Sequence, residues 1–155
     1  MKAITLVALA AGAGLAALAG AWSWSARSVE TPEDRVVEGH GAFELRRYPP
    51  MVMARVDRPG DRGKAVRAAF GPLSRYIFAR DRAGAKIAMT APVTQEPAGT
   101  GWAVSFIMPA GRTMADLPRP AGDVRLVETK ARLMAAVSFS GRWTDDRFDR
   151  FARQL

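Results

Sequence analysis

The chain has 155 residues, 48% of them hydrophobic, and carries 23 Lys+Arg against 15 Asp+Glu for a formal charge of +8. That is enough for one domain of ordinary size and too little for two. It has no cysteine and one histidine, which excludes a disulfide scaffold, a thiolate metal or cluster site, a cysteine nucleophile and a His-rich metal site.

The hydrophobic residues are unevenly placed. From Ala3 to Ala21 every residue is apolar, Gly or Thr, and Lys2 is the only charged side chain nearby. As a helix this stretch would reach about 28 Å, close to the ~30 Å hydrocarbon core of a bilayer. Residues 1–26 therefore read in one of two ways. One is a cleaved signal peptide, with Ala17-Leu18-Ala19 and Ala19-Gly20-Ala21 as cleavage motifs. The other is an uncleaved membrane anchor, with Trp22 and Trp24 at the far interface. A buried core helix would need a polar face, which the stretch lacks. Both readings place the rest of the chain in the cell envelope, either anchored in the inner membrane and facing the periplasm or free in the periplasm. The basic balance is an arginine excess, 19 Arg against 4 Lys. These arginines are scattered and not interleaved with aromatics, so they form no nucleic-acid-reading pattern and mostly describe a solvated basic surface.

Residues 27–38 are polar, hold Pro32 and read as a linker. Phe43 to Tyr48 (FELRRY) alternates with period two and predicts a short strand. Pro49-Pro50 ends it, because neither residue can donate to a ladder. Met51 to Val56 alternates again as a second strand. Val66, Ala69, Phe70, Leu73 and Ile77 recur at helical spacing and predict a helix over Arg62 to Ala79, with Gly71-Pro72 implying a kink or a break into two helices. Lys86 to Val93 (KIAMTAPV) reads as a strand, Gln95 to Gly101 as a turn and Trp102 to Met108 as a strongly apolar strand. Pro109 to Gly122 is a long loop, and Val124 to Glu128 and Leu133 to Phe139 are two further strands. Thr144 is a candidate N-cap, with Asp145 and Asp146 favourably placed in the first turn of a final helix. The order suggests an α+β fold: antiparallel sheet with helices on one face, built as a ββαββ unit followed by a second, incomplete one.

FELRRYPP, a helix carrying RYIF, then KIAMTAPV, VSFIMP and a closing RLMAAVSFSGRW together resemble the SOUL haem-binding protein family, with Ala88 to Val93 (AMTAPV) the most specific block. The resemblance covers nearly all of the chain after the linker, so that residues 39–155 form a SOUL-like domain. It implies two pseudo-symmetric ββαββ halves, a non-enzymatic protein, and haem or a related tetrapyrrole bound in a shallow apolar groove on a helix and its neighbouring loops. The sequence departs from the family twice. A full-length member continues into two more strands, so the chain ending at Leu155 reads as truncated, with an open sheet edge that a partner protein could complete. Some members carry a histidine in the R-x-Y position of the first strand. Here it is Arg47, which stays protonated and cannot ligate iron.

The candidate haem residues follow from the helix. At 100° per residue, Arg67, Gly71, Ser74 and Phe78 share one face, with Arg75 on its flank. Gly71 and Ser74 are small enough for a flat ring to approach, Phe70 and Phe78 could pack on it, and Arg67 and Arg75 could meet two propionates. His40, between Gly39 and Gly41, reads as a loop residue and is the one imidazole available as an iron ligand. Tyr48 and Tyr76 could ligate ferric haem, although packing is the default for both. Met51, Met53, Met89, Met108 and Met134 read as core residues in strands. Binding would then be mainly hydrophobic, without a strong axial ligand. No triad, phosphate loop or acid/base pair is present, and no metal site is expected. The alternative is an envelope scaffold or partner-binding module that keeps the fold and has lost haem binding.

Overall fold

The computed structural model describes residues 29–140 and 144–155. Seven strands and two helices follow in the order β1 (Arg35–His40), β2 (Phe43–Tyr48), β3 (Met51–Pro59), α1 (Arg62–Ile77), β4 (Val93–Ala98), β5 (Gly101–Ile107), β6 (Arg125–Thr129), β7 (Arg132–Val137) and α2 (Asp145–Ala152). The strands form two antiparallel sheets, β4-β5-β3-β6 and β1-β2-β7. The fold is α+β, as expected. The segment of residues 1–26 expected to export or anchor the chain lies outside the described residues. Among the described residues no helix is long and apolar enough to cross a membrane.

Alternation along the strands builds two cores. On one face of the larger sheet Val52, Ala54, Val56, Val104 and Phe106 meet Ala69, Leu73, Tyr76 and Ile77 of α1. Ala54, Val56, Ala69, Leu73 and Tyr76 are completely buried there. The other face carries Met53, Thr94, Ser105 and Ile107, all buried. Met53, Thr94 and Ile107 line a space shared with Tyr48 and Met134 of the smaller sheet. β5 is therefore covered on both sides, which explains its continuous apolar run. The backbone of β5 begins at Gly101 because a Cβ there would sit 2.0 Å from the Arg58 carbonyl oxygen on β3.

Asp61 caps α1, its carboxylate accepting from the Lys64 amide at 2.8 Å. The helix runs unbroken through Pro72, in place of two short helices. Proline deletes the bond to the Ala68 carbonyl, on an exposed residue, and the buried stripe holds both halves in register. At the other end Arg82 Nε donates to the Tyr76 carbonyl at 2.9 Å, and the same guanidinium donates to Ala83 and Ala85, closing the loop after α1.

Three local expectations are corrected. Arg35–His40, taken in part as linker, is strand β1 paired with β2; it is an exposed edge strand and has no buried side to alternate. Val93–Ala98, read largely as turn, is strand β4, and the turn shrinks to Gly99-Thr100, where Gly99 takes φ +56°. Lys86 to Thr90 form no strand beyond a single bridge between Thr90 and Glu30. Ile87 is instead drawn into the α1 core, its amide bonded to the Ile77 carbonyl, and Met89 is 55% exposed instead of serving as core. Thr144 occupies the N-cap position of α2, but its hydroxyl makes no capping bond. Strands from the two halves of the chain pair with each other, β2 with β7 and β3 with β6.

Candidate functional site

Of the predicted residues, Arg67, Phe70, Gly71, Ser74 and Arg75 lie on α1, and Phe78 follows at its C-cap. Phe70 is 53% exposed at one margin, its ring meeting Phe106 edge-on at 5.6 Å. Arg67 and Arg75 are exposed, and Gly71, Ser74 and Phe78 are half-buried. Phe78 packs against the main core from the helix end, with the Arg80 guanidinium 5.8 Å from its ring centroid.

Two details change the site. Both guanidiniums fold back towards the helix N-terminus, as long helical side chains do. The Arg67 head reaches Gly63, where a Cβ would lie 3.6 Å from Nη1. The Arg75 head lies over Gly71, where a Cβ would lie 3.5 Å from Nη1. The bare backbone expected to admit a flat ring is thus roofed by Arg75, which must swing aside for a ring to land. Arg75 is also held from the other side, its Nε 3.5 Å from Asp81 Oδ2. Ser74 turns its hydroxyl inward, donating to the Gly71 carbonyl at 2.9 Å. Asp81 carries no signal in the sequence beyond its place after the helix.

His40 is not brought to this face. It is the last residue of β1, on the smaller sheet, exposed and 2.9 Å from Glu38 Oε1, and its neighbours across a shallow groove are Phe43, Leu45 and Leu155. Tyr76 is fully buried, and its hydroxyl donates to the Pro118 carbonyl at 2.9 Å. Burial raises its pKa, as it does that of Tyr48, so both phenols stay protonated at neutral pH. Neither is a tyrosinate available to iron.

Other concavities lie away from α1. A groove of about 400 Å³ is bounded by Pro49, Pro50, Val52, Met108 and Pro109. A smaller cavity of about 170 Å³ sits between the sheets, lined by Met51, Met53, Ile107 and Met134 with Arg46 and Arg132. Its polar lining went unnoticed in the sequence because it comes from β2, β4 and β7 at once.

The fold is that of a small α+β domain. A family model of SOUL heme-binding proteins matches residues 29–155, and the chain belongs to that family. No curated protein matches it. For the ligand that the family name implies, the outer face of α1 offers an exposed aromatic edge and two cations suited to porphyrin carboxylates. It offers no imidazole or phenolate, so the fit is to the macrocycle and its acidic edge and not to the iron.

Proposed function

We propose that this chain is a non-enzymatic haem- or tetrapyrrole-binding protein of the cell envelope. Residues 1–26 export it, and either anchor it in the inner membrane facing the periplasm or are cleaved to release it there. The ligand lies against the outer face of α1, where Phe70 and Phe78 pack on the ring and Gly71 and Ser74 admit its edge. Arg67 and Arg75 meet the propionates, Arg75 exchanging Asp81 for a carboxylate of the ligand. Iron chemistry is the cofactor's own, and the chain supplies apolar contact and charge without a strong axial ligand. The observation that carries this reading is the half-exposed Phe70 on the helix that also presents Arg67 and Arg75, in a chain of this family.

Titration of the purified full chain with hemin, followed at the Soret band, is expected to saturate in the micromolar range. Arg67→Ala with Arg75→Ala should weaken binding about tenfold or more, in line with the loss of charge-assisted bonds. His40→Ala should leave the spectrum unchanged. A titration that never saturates would sink the reading. One observation favours a second reading, a scaffold that docks another protein: among the described residues β7 pairs on one side only. A stoichiometric partner recovered from membranes without chromophore would favour it.

A further inference from the structure

β1 and β2 bring two arginines side by side without giving either a partner. Arg35 stands directly opposite Arg47, and like charges in that position repel. The carboxylates of the same strands are engaged elsewhere. Asp34, just before β1, and Glu44 hold Arg46, and Glu38 bonds His40. The Arg35 and Arg47 side chains make no hydrogen bond or ion pair among the described residues.

Apolar side chains gather beside this pair. Arg35, Val36, Val37 and Arg47 line one depression of about 280 Å³. The register slips between Val36 and Glu38, and both valines are about half exposed, as a bulge on an edge strand allows. Leu133, opposite Arg47 on β7, is half exposed as well. Three of the six exposed large apolar side chains among the described residues thus stand next to two unpaired cations. All four residues lining the depression are exposed, so it does not enclose a small ligand as a pocket does. It fits a broad partner with negative charge at its surface and apolar material beneath, which describes an anionic bilayer. The choice of a bilayer over an acidic protein rests on the envelope reading of residues 1–26 proposed above. From position 26 to Arg35 the extended chain reaches at most about 30 Å, so an anchored chain keeps β1 near the headgroups.

We propose that Arg35, Val36, Val37 and Arg47, with Leu133 beside them, dock on an anionic phospholipid surface, the guanidiniums on lipid phosphates and the valines among the upper acyl carbons. This surface is separate from the α1 face, which belongs to the larger sheet. The chain has no cysteine, so Val37→Cys in the full chain takes an environment-sensitive nitrobenzoxadiazole label at that position alone. Met89→Cys, at an exposed residue between α1 and β4, is the reference. The vesicles are phosphatidylcholine with roughly one lipid in four replaced by phosphatidylglycerol, which makes the surface anionic. On them the Val37 label should shift to the blue and resist quenching by dithionite, while the Met89 label stays quenchable. Phosphatidylcholine alone should give the Val37 label little protection. Arg35→Gln with Arg47→Gln should lower the protected fraction about fivefold or more, and Arg35→Lys with Arg47→Lys should keep it. The Gln pair should fold at least as stably as the parent, because it relieves the like-charge register. Where it does not, added salt tests the same point, since screening should release the label. Vesicle binding with the Val37 label still quenchable would overturn the docking surface and leave the envelope reading of residues 1–26 standing, whereas a chain that binds no vesicles would count against both. Equal protection of both labels would also overturn it. So would protection without vesicles, which would assign the patch to a second copy, or release by inorganic phosphate but not by chloride at equal ionic strength, which would assign it to the free anion.

Discussion

The two sheets have the same antiparallel chemistry and very different cover. The larger one is roofed by the 16 residues of α1, with Leu73, Tyr76, Ala54 and Val56 fully buried beneath it. The smaller one has the eight residues of α2 beside it, which place Gln154 and Leu155 near Phe43, Leu45 and Ala135. Val36, Val37 and Leu133 on its strands stay about half exposed. β3 has neighbours on both sides, whereas β7 has one. Arg35 stands directly opposite Arg47 across β1 and β2, a like-charge register that weakens pairing. The contrast is between a half stabilised by helix-on-sheet burial and a half held by a few specific contacts, and local stability should divide along that line.

The largest test of that division is truncation of one leucine in each half, Leu73 on α1 and Leu133 on β7. Leu73→Ala removes a side chain with no exposure at the centre of the α1 core and should cost about 2–5 kcal/mol. Leu133→Ala removes a half-exposed side chain on β7 and should stay within about 0.5 kcal/mol. Urea unfolding of the two variants measures the difference directly. Similar losses would mean that the smaller sheet is as well packed as the larger.

The same division governs what could be read in advance. Strands β2, β3, β6 and β7 and both helices announce themselves because burial against a core imprints a period on the sequence, and β5, covered on both sides, because it is apolar throughout. β1 has no buried residue in its RVVEGH run and so leaves no imprint. β4 turns Thr94 and Glu96 inward and carries Pro97, which disguises a strand as a turn. KIAMTAPV fails in the opposite direction: its apolar residues suggest a strand, but Ile87 is drawn into the α1 core, Met89 is exposed, and Lys86 to Thr90 build no ladder. Arg67, Gly71 and Ser74 lie on α1, where helical spacing alone groups residues on a face, whereas Phe78 is its C-cap and packs against the main core. That Arg75 roofs Gly71 was not legible, since a rotamer and an Asp81 contact decide it. The half-buried Arg132 and Glu96, in ion contact, lie 36 residues apart on strands of different sheets, and no local pattern links them.

A medium effect is expected at the joint between the halves. Arg62 opens α1, yet its guanidinium lies 3.7 Å from the centre of the Phe148 ring and its Nε donates to Asp145 at 2.7 Å, both on α2. Phe148 meets Phe139 edge-on, and Phe151 stacks on it at 4.3 Å. Arg62→Ala removes a cation–π contact, a hydrogen bond to Gln95 and an ion pair with the exposed Asp145, together about 1–2 kcal/mol. Because Phe148 and Asp145 both lie on α2, the loss should fall there. Hydrogen exchange is expected to speed up in α2 while the amides of Ala69 and Leu73 keep their protection. A uniform loss across both helices would show that Arg62 serves the whole domain and not the joint.

The smallest effect concerns acid. Asp123, just before β6, is held below the ordinary carboxylate range chiefly by its hydrogen bond from Arg58, against a smaller opposing effect of burial. A carboxylate whose folded-state pKa is depressed adds stability above its unfolded pKa near 4 and loses it as pH falls through the lower folded value. Asp123 is mostly exposed, so solvent screens most of this contribution. Asp123→Asn should therefore be slightly less stable than the parent at pH 7, and the two should converge as pH drops from about 5 towards 3. The Arg58 tether belongs to the four-stranded sheet, since Arg58 lies on β3 and Asp123 leads into β6. Convergence should accordingly appear in the exchange of β3 and β6 amides and leave those of β1 and β2 unmoved. A gap that persists at pH 3 would mean that the Asn variant perturbs packing and not charge, and that acid sensitivity does not follow the division between the sheets.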